Sequence, residues 1–382
     1  MTRRMPYDQH LIVISLFLAG LGLVMVSSAS SAVSQEVYGS ASAIFMRQLT
    51  ATLIGLGGLL VAMRFDYHLL ENRWVIGLLM ILAVAGLILP HVMGGGPAAR
   101  WIRIGPLQFQ PSEAAKLTAV VFTAYYLSRR GVNLASFRRG LVPYLTAVGL
   151  LIALILAGRD LGTAALVVGV CGMLLYLGGL RYLHMPILAG AGALGAVALI
   201  LTEPYRLQRV LSWFEPGRDV QGAGYQIHQS LIAVGSGQLS GKGLAEGTQK
   251  LHFLPEPHTD FIFAVLGEEL GLVGCLVLLL LFGFFLWRGV RIALRADSLF
   301  GFYLALGIVS MIVLQALVNI SVVLHLLPTK GLPLPFISVG GSSQMVLLTA
   351  VGLLLNISKH TRADADVNVI PSLYPSQGEV MR

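Results

Sequence analysis

Ten long runs of apolar residues decide what this chain can fold into. They fall near 10–33, 48–65, 74–91, 115–128, 141–157, 161–180, 183–201, 260–287, 300–326 and 341–357. A helix needs roughly 17–25 such residues to cross a bilayer. The fourth run is short and leans on its polar start. Hydrocarbon offers no partner to a bare N–H or C=O group, so segments of this kind must be helical. Only 12% of the 382 residues are charged and 56% are hydrophobic, whereas a soluble domain carries roughly 25% charged residues. No soluble core could bury this much apolar sequence. The first run has Arg3 and Arg4 before it and SSASSA after it, as a secretory signal would. Its apolar core is longer than a signal's, so it reads as a retained span.

Charge sets the orientation. With the N-terminus inside, Arg64, Arg73, Arg138, Arg139, Arg288, Arg291 and Lys359 all fall in cytoplasmic segments, as the positive-inside rule requires. The net charge of +8 is therefore a topological signal and calls for no nucleic-acid partner. The expected architecture is an all-α polytopic membrane protein of about ten transmembrane helices with both termini cytoplasmic. One membrane domain covers 1–362, and a polar, Pro-containing tail at 363–382 is expected to be disordered. Cys171 and Cys275 both lie in apolar runs and read as small core or lipid-facing residues.

Three exterior segments concentrate the chemistry: 92–114, 202–259 and 327–340. The second, between spans seven and eight, is the one long loop, and structureless loops of that length are usually functional. Its GSGQLSGKG stretch invites a phosphate-loop reading, but Ser236 stands where the first Gly of G-x-x-x-x-G-K belongs and Gly243 replaces the Ser/Thr. Residues 225–234, YQIHQSLIAV, read as a short amphipathic helix lying on the membrane surface.

Residues 99–117, ARWIRIGPLQFQPSEAAKL, gather Arg100, Arg103, Gln110, Glu113 and Lys116 around the outer end of span four. They can be an interfacial anchor with Trp101 in the aromatic belt. They can equally be an anion site: Pro111 opens a helix, Glu113 and Lys116 share its face, and a helix N-terminus flanked by cations binds anions. In GRDLGTAAL, Asp160 is placed to cap span six, which does not exclude a second role beside Arg159. In LPEPHTDFIFAVLGEELGLVG, His258 and Asp260 stand at the outer doorstep of span eight. At about 100° per residue Glu268 lies roughly 80° from Asp260 and Glu269 about 180° away, so the three carboxylates cannot serve one site. Asp260 either caps span eight or acts as a base where lipid meets water; Glu269 suits a structural pairing with another helix. LPTKGLPLPFISVGGSSQM, residues 327–345, is irregular backbone of the kind tolerated only where it lines a cavity. It supplies the cation Lys330 and the hydroxyl of Ser338.

Taken together, GLGLVMVSSASS, ARWIRIGPLQFQPSEAAKL, RDLGTA, GAGYQIHQSLIAVGSGQLSGKG, LPEPHTDFIFAVLGEELGLVG and LPTKGLPLPFISVGGSS resemble the SEDS family of shape, elongation, division and sporulation proteins over nearly the whole chain. TQKLHFLPEPHTDFIF and LPTKGLPLPFIS are closer to the division member than to the elongation member. The resemblance implies a ten-span protein of the bacterial cytoplasmic membrane, at the division septum. It implies peptidoglycan glycosyltransferase activity on lipid II and the nascent glycan strand, with a class B penicillin-binding protein and divisome proteins as partners. It implies a catalytic role for Asp260, and matches Arg100, Glu113, Lys116 and Asp160 to family motif positions. Two departures stand out: Gly158-Arg159 precedes Asp160 where the family has x-Pro, and Val339 replaces a usual Tyr.

The mechanism expected from this is inverting transfer. Asp260 takes the proton of an acceptor sugar hydroxyl, that oxygen attacks the donor's anomeric carbon, and undecaprenyl pyrophosphate leaves. Arg100, Arg103, Lys116 and Lys330 are candidates to neutralise the pyrophosphate, and Gln110, Glu113, Asp160, His258 and Ser338 are further substrate-binding candidates. No cofactor or metal site is expected; a divalent cation beside a pyrophosphate is chemically plausible, but no motif indicates one. The rival readings are a lipid II flippase, since polar residues between spans also suit a translocation path, an elongation-specific polymerase, and a passive scaffold.

Overall fold

The structure, a computed structural model, describes residues 7–93, 100–104, 107–129, 132, 134, 136–215, 222–251, 253–328 and 331–360. Lys330 and the tail at 363–382 lie outside the described residues. Helices stand at all ten expected positions: α1 Gln9–Tyr38, α2 Ala43–Arg64, α3 Arg73–Val92, α4 Pro111–Ser128, α5 Val142–Ala157, α6 Leu161–Leu177, α7 His184–Leu201, α10 Ile262–Leu294, α11 Leu299–Val323 and α12 Gly341–Lys359. Among the described residues eight are long and apolar enough to cross a membrane, counting α5 with the turn before it as Phe137–Ala157; α4, with its polar first turn, and the 17-residue α6 are the other two. Two further helices, α8 Pro204–Phe214 and α9 Ala223–Ser236, fill much of the long loop.

The starts and stops follow local chemistry. Asp8 caps α1 through the amide of Leu11 and Asn72 caps α3 through that of Trp74. Pro111 opens α4, where its missing N–H is no loss. One apolar cluster is shared by α1, α2, α4, α6, α10, α11 and α12, and a second joins α3, α4, α5 and α6. Helix α11 is at the centre, with most of its residues buried. Helix α7, by contrast, has no buried residue and stands at the periphery. Helices α2 and α12 cross closely at Gly352, where a β-carbon would come within 2.5 Å of the carbonyl oxygen of Leu59, the small-residue contact typical of membrane bundles.

Helix α10 is broken. Gly271 adopts φ 65°, ψ −166°, and the chain around 237–243 plugs the gap. The amides of Lys242 and Gly243 donate to the carbonyls of Glu268 and Glu269 at 3.0 and 3.1 Å. In return the amides of Leu272 and Val273 donate to the carbonyls of Gln238 and Leu239 at 2.9 and 3.2 Å. A break at this depth survives only because each freed backbone group finds a protein partner. The GSGQLSGKG stretch is thus the filler of a helix break.

One expectation needs correction. The segment 225–234 does not simply lie on the membrane: α9 packs on α10, buries Ile227, Ser230 and Ala233, and Ser230 Oγ donates to the Val323 carbonyl at 3.0 Å. The strongly amphipathic helix of the long loop is α8, PYRLQRVLSWF, which the length of the loop concealed. Segment 92–114 also holds a small antiparallel hairpin, Ile102–Ile104 against Leu107–Phe109, with Arg103 opposite Gln108.

Candidate active site

Helix starts and ends at one end of the bundle bring together the motifs expected outside. Asp160 sits at the entrance of α6, 4% exposed, and caps it by accepting from the Thr163 amide at 3.1 Å. Its other oxygen accepts from Gln110 Nε2 and Ser112 Oγ, both at 3.0 Å. The cap therefore also ties the start of α6 to the start of α4. A cavity of about 20 Å³, large enough for one water-sized group, is lined by Arg100, Ser112 and Asp160 with His91 of α3.

Glu113 and Lys116 do share a helix face, and that face points inward. Lys116 Nζ lies 2.9 Å from Glu113 Oε2 and donates to Gln315 Oε1 of α11 at 2.8 Å. Gln315 Nε2 in turn donates to the Pro333 carbonyl at 2.8 Å. Both members of the pair are buried, so the ammonium expected at an exposed anion site is occupied by α11. Arg100 and Arg103 are exposed, on the approach to the hairpin and within it.

Asp260 ends the long loop two residues before α10. It is not the cap of that helix: the capping position is Phe261 and no side chain caps it. Its main-chain carbonyl is held by Asn319 Nδ2 of α11 at 2.9 Å. A β-carbon at Gly331 would stand 3.3 Å from Asp260 Oδ2, so the 331–334 backbone walls the carboxyl on one side. Burial pushes the carboxyl up to about 6; nearby Glu256 adds to this, while Arg209 and Arg100 oppose it. At pH 7 such a group is ionised roughly ten to one, yet is a stronger base than an exposed aspartate. Beside it His258 is lowered by burial, against the pull of Glu256, and its carbonyl accepts from the Val339 amide at 2.9 Å. Ser338 is buried and gives its hydroxyl hydrogen to the Thr259 carbonyl at 2.6 Å.

Glu268 and Glu269 are elsewhere: Asp260 precedes the first turn of α10, and both glutamates lie further along that helix. Glu268 accepts from Lys242 Nζ at 2.6 Å and from Thr248 and Gln249. Glu269 accepts from Lys250 Nζ and Ser28 Oγ of α1, each at 2.6 Å. Both carboxylates pin the 242–250 chain to α10. Among the described residues no three His, Cys, Asp or Glu side chains converge as a metal site.

Four residues of this end escaped the sequence reading. Gln315 and Asn319, two amides four apart in an apolar run, were a legible signal of a polar helix face. Gln48 of α2 brackets the 338–340 backbone, giving Nε2 to the Ser338 carbonyl and taking the Gly340 amide. Arg209 rides on α8, whose end is joined to the end of α11 by a reciprocal pair: Trp213 Nε1 donates to the His325 carbonyl and His325 Nε2 to that of Trp213.

Comparison with known proteins agrees with this arrangement. A model of the cell cycle protein family of FtsW, RodA and SpoVE matches residues 9–363. Stage V sporulation protein E of Bacillus subtilis is 42% identical over 365 residues, 94% of this chain and 99% of its own. The probable peptidoglycan glycosyltransferase FtsW of Geobacter sp. (strain M18) is 39% identical, over 96% of this chain and all of its own. Among solved structures, a chain of a peptidoglycan synthase complex that coordinates polymerization and crosslinking superposes with a TM-score of 0.74 at 28% identity, covering 94% of this chain and 99% of that one. The rod shape determining protein RodA of Thermus thermophilus gives 0.65 at 27% identity, covering 94% and 98%.

Proposed function

The chain belongs to the cell cycle protein family of FtsW, RodA and SpoVE, and on that premise we propose that it is a peptidoglycan glycosyltransferase. It polymerises lipid II into glycan strands from the outer side of a ten-span membrane domain with cytoplasmic termini. The observation that carries this reading is Asp260: a carboxyl lifted to about 6 by burial, walled by the 331–334 backbone, with Arg209 and Arg100 in electrostatic reach. The relative named as a probable peptidoglycan glycosyltransferase and the neighbour from a peptidoglycan synthase complex support it.

In the reaction Asp260 accepts the proton of the acceptor sugar's hydroxyl as that oxygen forms its bond to the donor's anomeric carbon. The bond from that carbon to the pyrophosphate oxygen breaks on the opposite face, with inversion, and undecaprenyl pyrophosphate departs. Arg100 and Arg209 are the cations suited to the developing charge. The family relatives named FtsW support a septal, division role, and the synthase complex supports a class B penicillin-binding protein as partner.

The test is reconstitution of the full chain with labelled lipid II. The wild type forms polymer, and Asp260→Ala, folded to the same Tm or higher, forms none. Polymer from Asp260→Ala overturns the assignment. Labelled substrate that crosses the membrane without polymerising would make the chain a flippase, and no change in either readout would leave a scaffold.

A further inference from the structure

Asp260 has no helix-capping hydrogen bond to fix it, so its position has to come from the backbone. That backbone is held at three consecutive residues. The carbonyl of His258 accepts from the Val339 amide at 2.9 Å, that of Thr259 from Ser338 Oγ at 2.6 Å, and that of Asp260 from Asn319 Nδ2 at 2.9 Å. Irregular chain at this depth needs a partner for each such carbonyl, and all three take theirs from other elements.

Asn319 does more than close one of these bonds. Its amide donates a second hydrogen to the Leu332 carbonyl at 2.8 Å, one residue beyond the glycine that walls the Asp260 carboxyl. One turn earlier on α11, Gln315 holds the next carbonyl, Pro333, and is itself braced by Lys116. Ser338 works from the other side, accepting the Leu334 amide at 2.8 Å while donating to Thr259. The strand that carries the carboxyl and the strand that faces it are thus fixed to each other through the same two side chains. Asn319 is 2% exposed, and its Oδ1 is buried with no hydrogen-bond partner among the described residues. A leucine has the same branched skeleton, somewhat bulkier, and would bury no unpaired oxygen, so packing alone does not explain an amide here.

We propose that Asn319, with Ser338, is the positioning element of the catalytic base: its single amide nitrogen spans Asp260 and Leu332 and so sets the carboxyl against the backbone at Gly331. This rests on the reading of Asp260 as the base. Neither side chain touches the reacting atoms in this account; both act through Asp260.

The experiment compares Asn319→Leu, Ser338→Ala and Asp260→Ala in the full-length chain, reconstituted with lipid II and assayed well below each variant's Tm. Asn319→Leu is expected to lower kcat about 100-fold, the scale of a misplaced catalytic group, with KM for lipid II changed less than about threefold. Its acid limb should also move to lower pH as the freed carboxyl gains water. Ser338→Ala, which removes one hydroxyl, should lower kcat about tenfold in the same way, and it carries the test if Asn319→Leu fails to fold. A folded Asn319→Leu, or in its absence Ser338→Ala, with normal kcat or with a change in KM alone overturns the proposal. If Asp260→Ala is dead while both variants are normal, only the positioning role falls. If Asp260→Ala is active, the base assignment falls first and takes this proposal with it.

Discussion

Gly241 and Gly271 meet backbone to backbone: a β-carbon on Gly271 would come within 2.3 Å of the amide nitrogen of Gly241, and one on Gly241 within 2.1 Å of the Glu269 carbonyl oxygen. The contact is what lets the 237–243 chain close the break in α10 and lets the long loop end where Asp260 is needed.

Gly271→Ala should therefore be severe. Its φ of 65° and ψ of −166° lie in a region essentially reserved for glycine, worth about 1–3 kcal/mol before the clash is added. Loss of folded, monodisperse protein in detergent is expected. Gly283→Ala, with nothing near its added carbon, should be neutral or stabilising by up to about 1 kcal/mol. Equal Tm values for the two variants would refute the account of the break.

The Glu269–Lys250 pair should behave as a buried ion pair. Both side chains are almost fully enclosed, and Ser28 completes the site from α1. Glu269→Gln or Lys250→Met alone leaves a charge or its partner unmatched, a loss of about 3–5 kcal/mol in comparable sites. The double variant is expected to recover much of that. Thermal unfolding and tryptic cleavage within 237–259 read both effects; additive losses would mean the pair is not coupled.

The helices were legible because each is a long apolar run, and the Asp160 cap because aspartate is a preferred residue at a helix start; its second oxygen's bonds to Gln110 and Ser112 were not. Helix phase was the wrong ground for setting Asp260 apart from Glu268 and Glu269: Asp260 precedes the first turn of α10, and both glutamates hold the 242–250 chain. What stayed hidden depended on partners distant in sequence. Glu113 and Lys116 predicted a shared face but not that Gln315, about 200 positions away, would claim it. Gly271 inside an apolar run gave no sign that a loop 30 residues earlier would enter the helix. Helix α8 was concealed because eleven amphipathic residues look like loop when lipid is not in view.

Asp260 should destabilise the protein it serves. An unfolded aspartate titrates near 3.8 and the folded carboxyl near 6. As pH rises from about 4 to about 6 the unfolded chain loses its proton first, so the folded state is progressively disfavoured; above 6 the penalty is constant. Asp260→Asn removes it. The variant's stability should match the wild type below pH 4 and exceed it above pH 6 by about 1–2 kcal/mol for a partly exposed group, with Tm rising accordingly. A Tm advantage that is independent of pH would contradict the burial argument.

Arg209 gives the same carboxyl an adjustable neighbour. Its charge and that of Arg100 both favour the ionised form of Asp260, and α8 is held near the site by the Trp213–His325 pair at its end. Removing a cation stabilises the protonated acid, so Arg209→Gln should raise the Asp260 pKa and move the acid limb of polymerisation to higher pH. Salt should shrink the shift, on the scale of a Debye length of about 8 Å at physiological ionic strength. Arg206→Gln is the control: that guanidinium is directed at the Leu199 carbonyl on α7, 3.0 Å away, and should move the limb much less. The pyrophosphate would sense the same charge, so KM for lipid II should rise in Arg209→Gln and not in Arg206→Gln. An unmoved acid limb with an unmoved KM would remove Arg209 from the site.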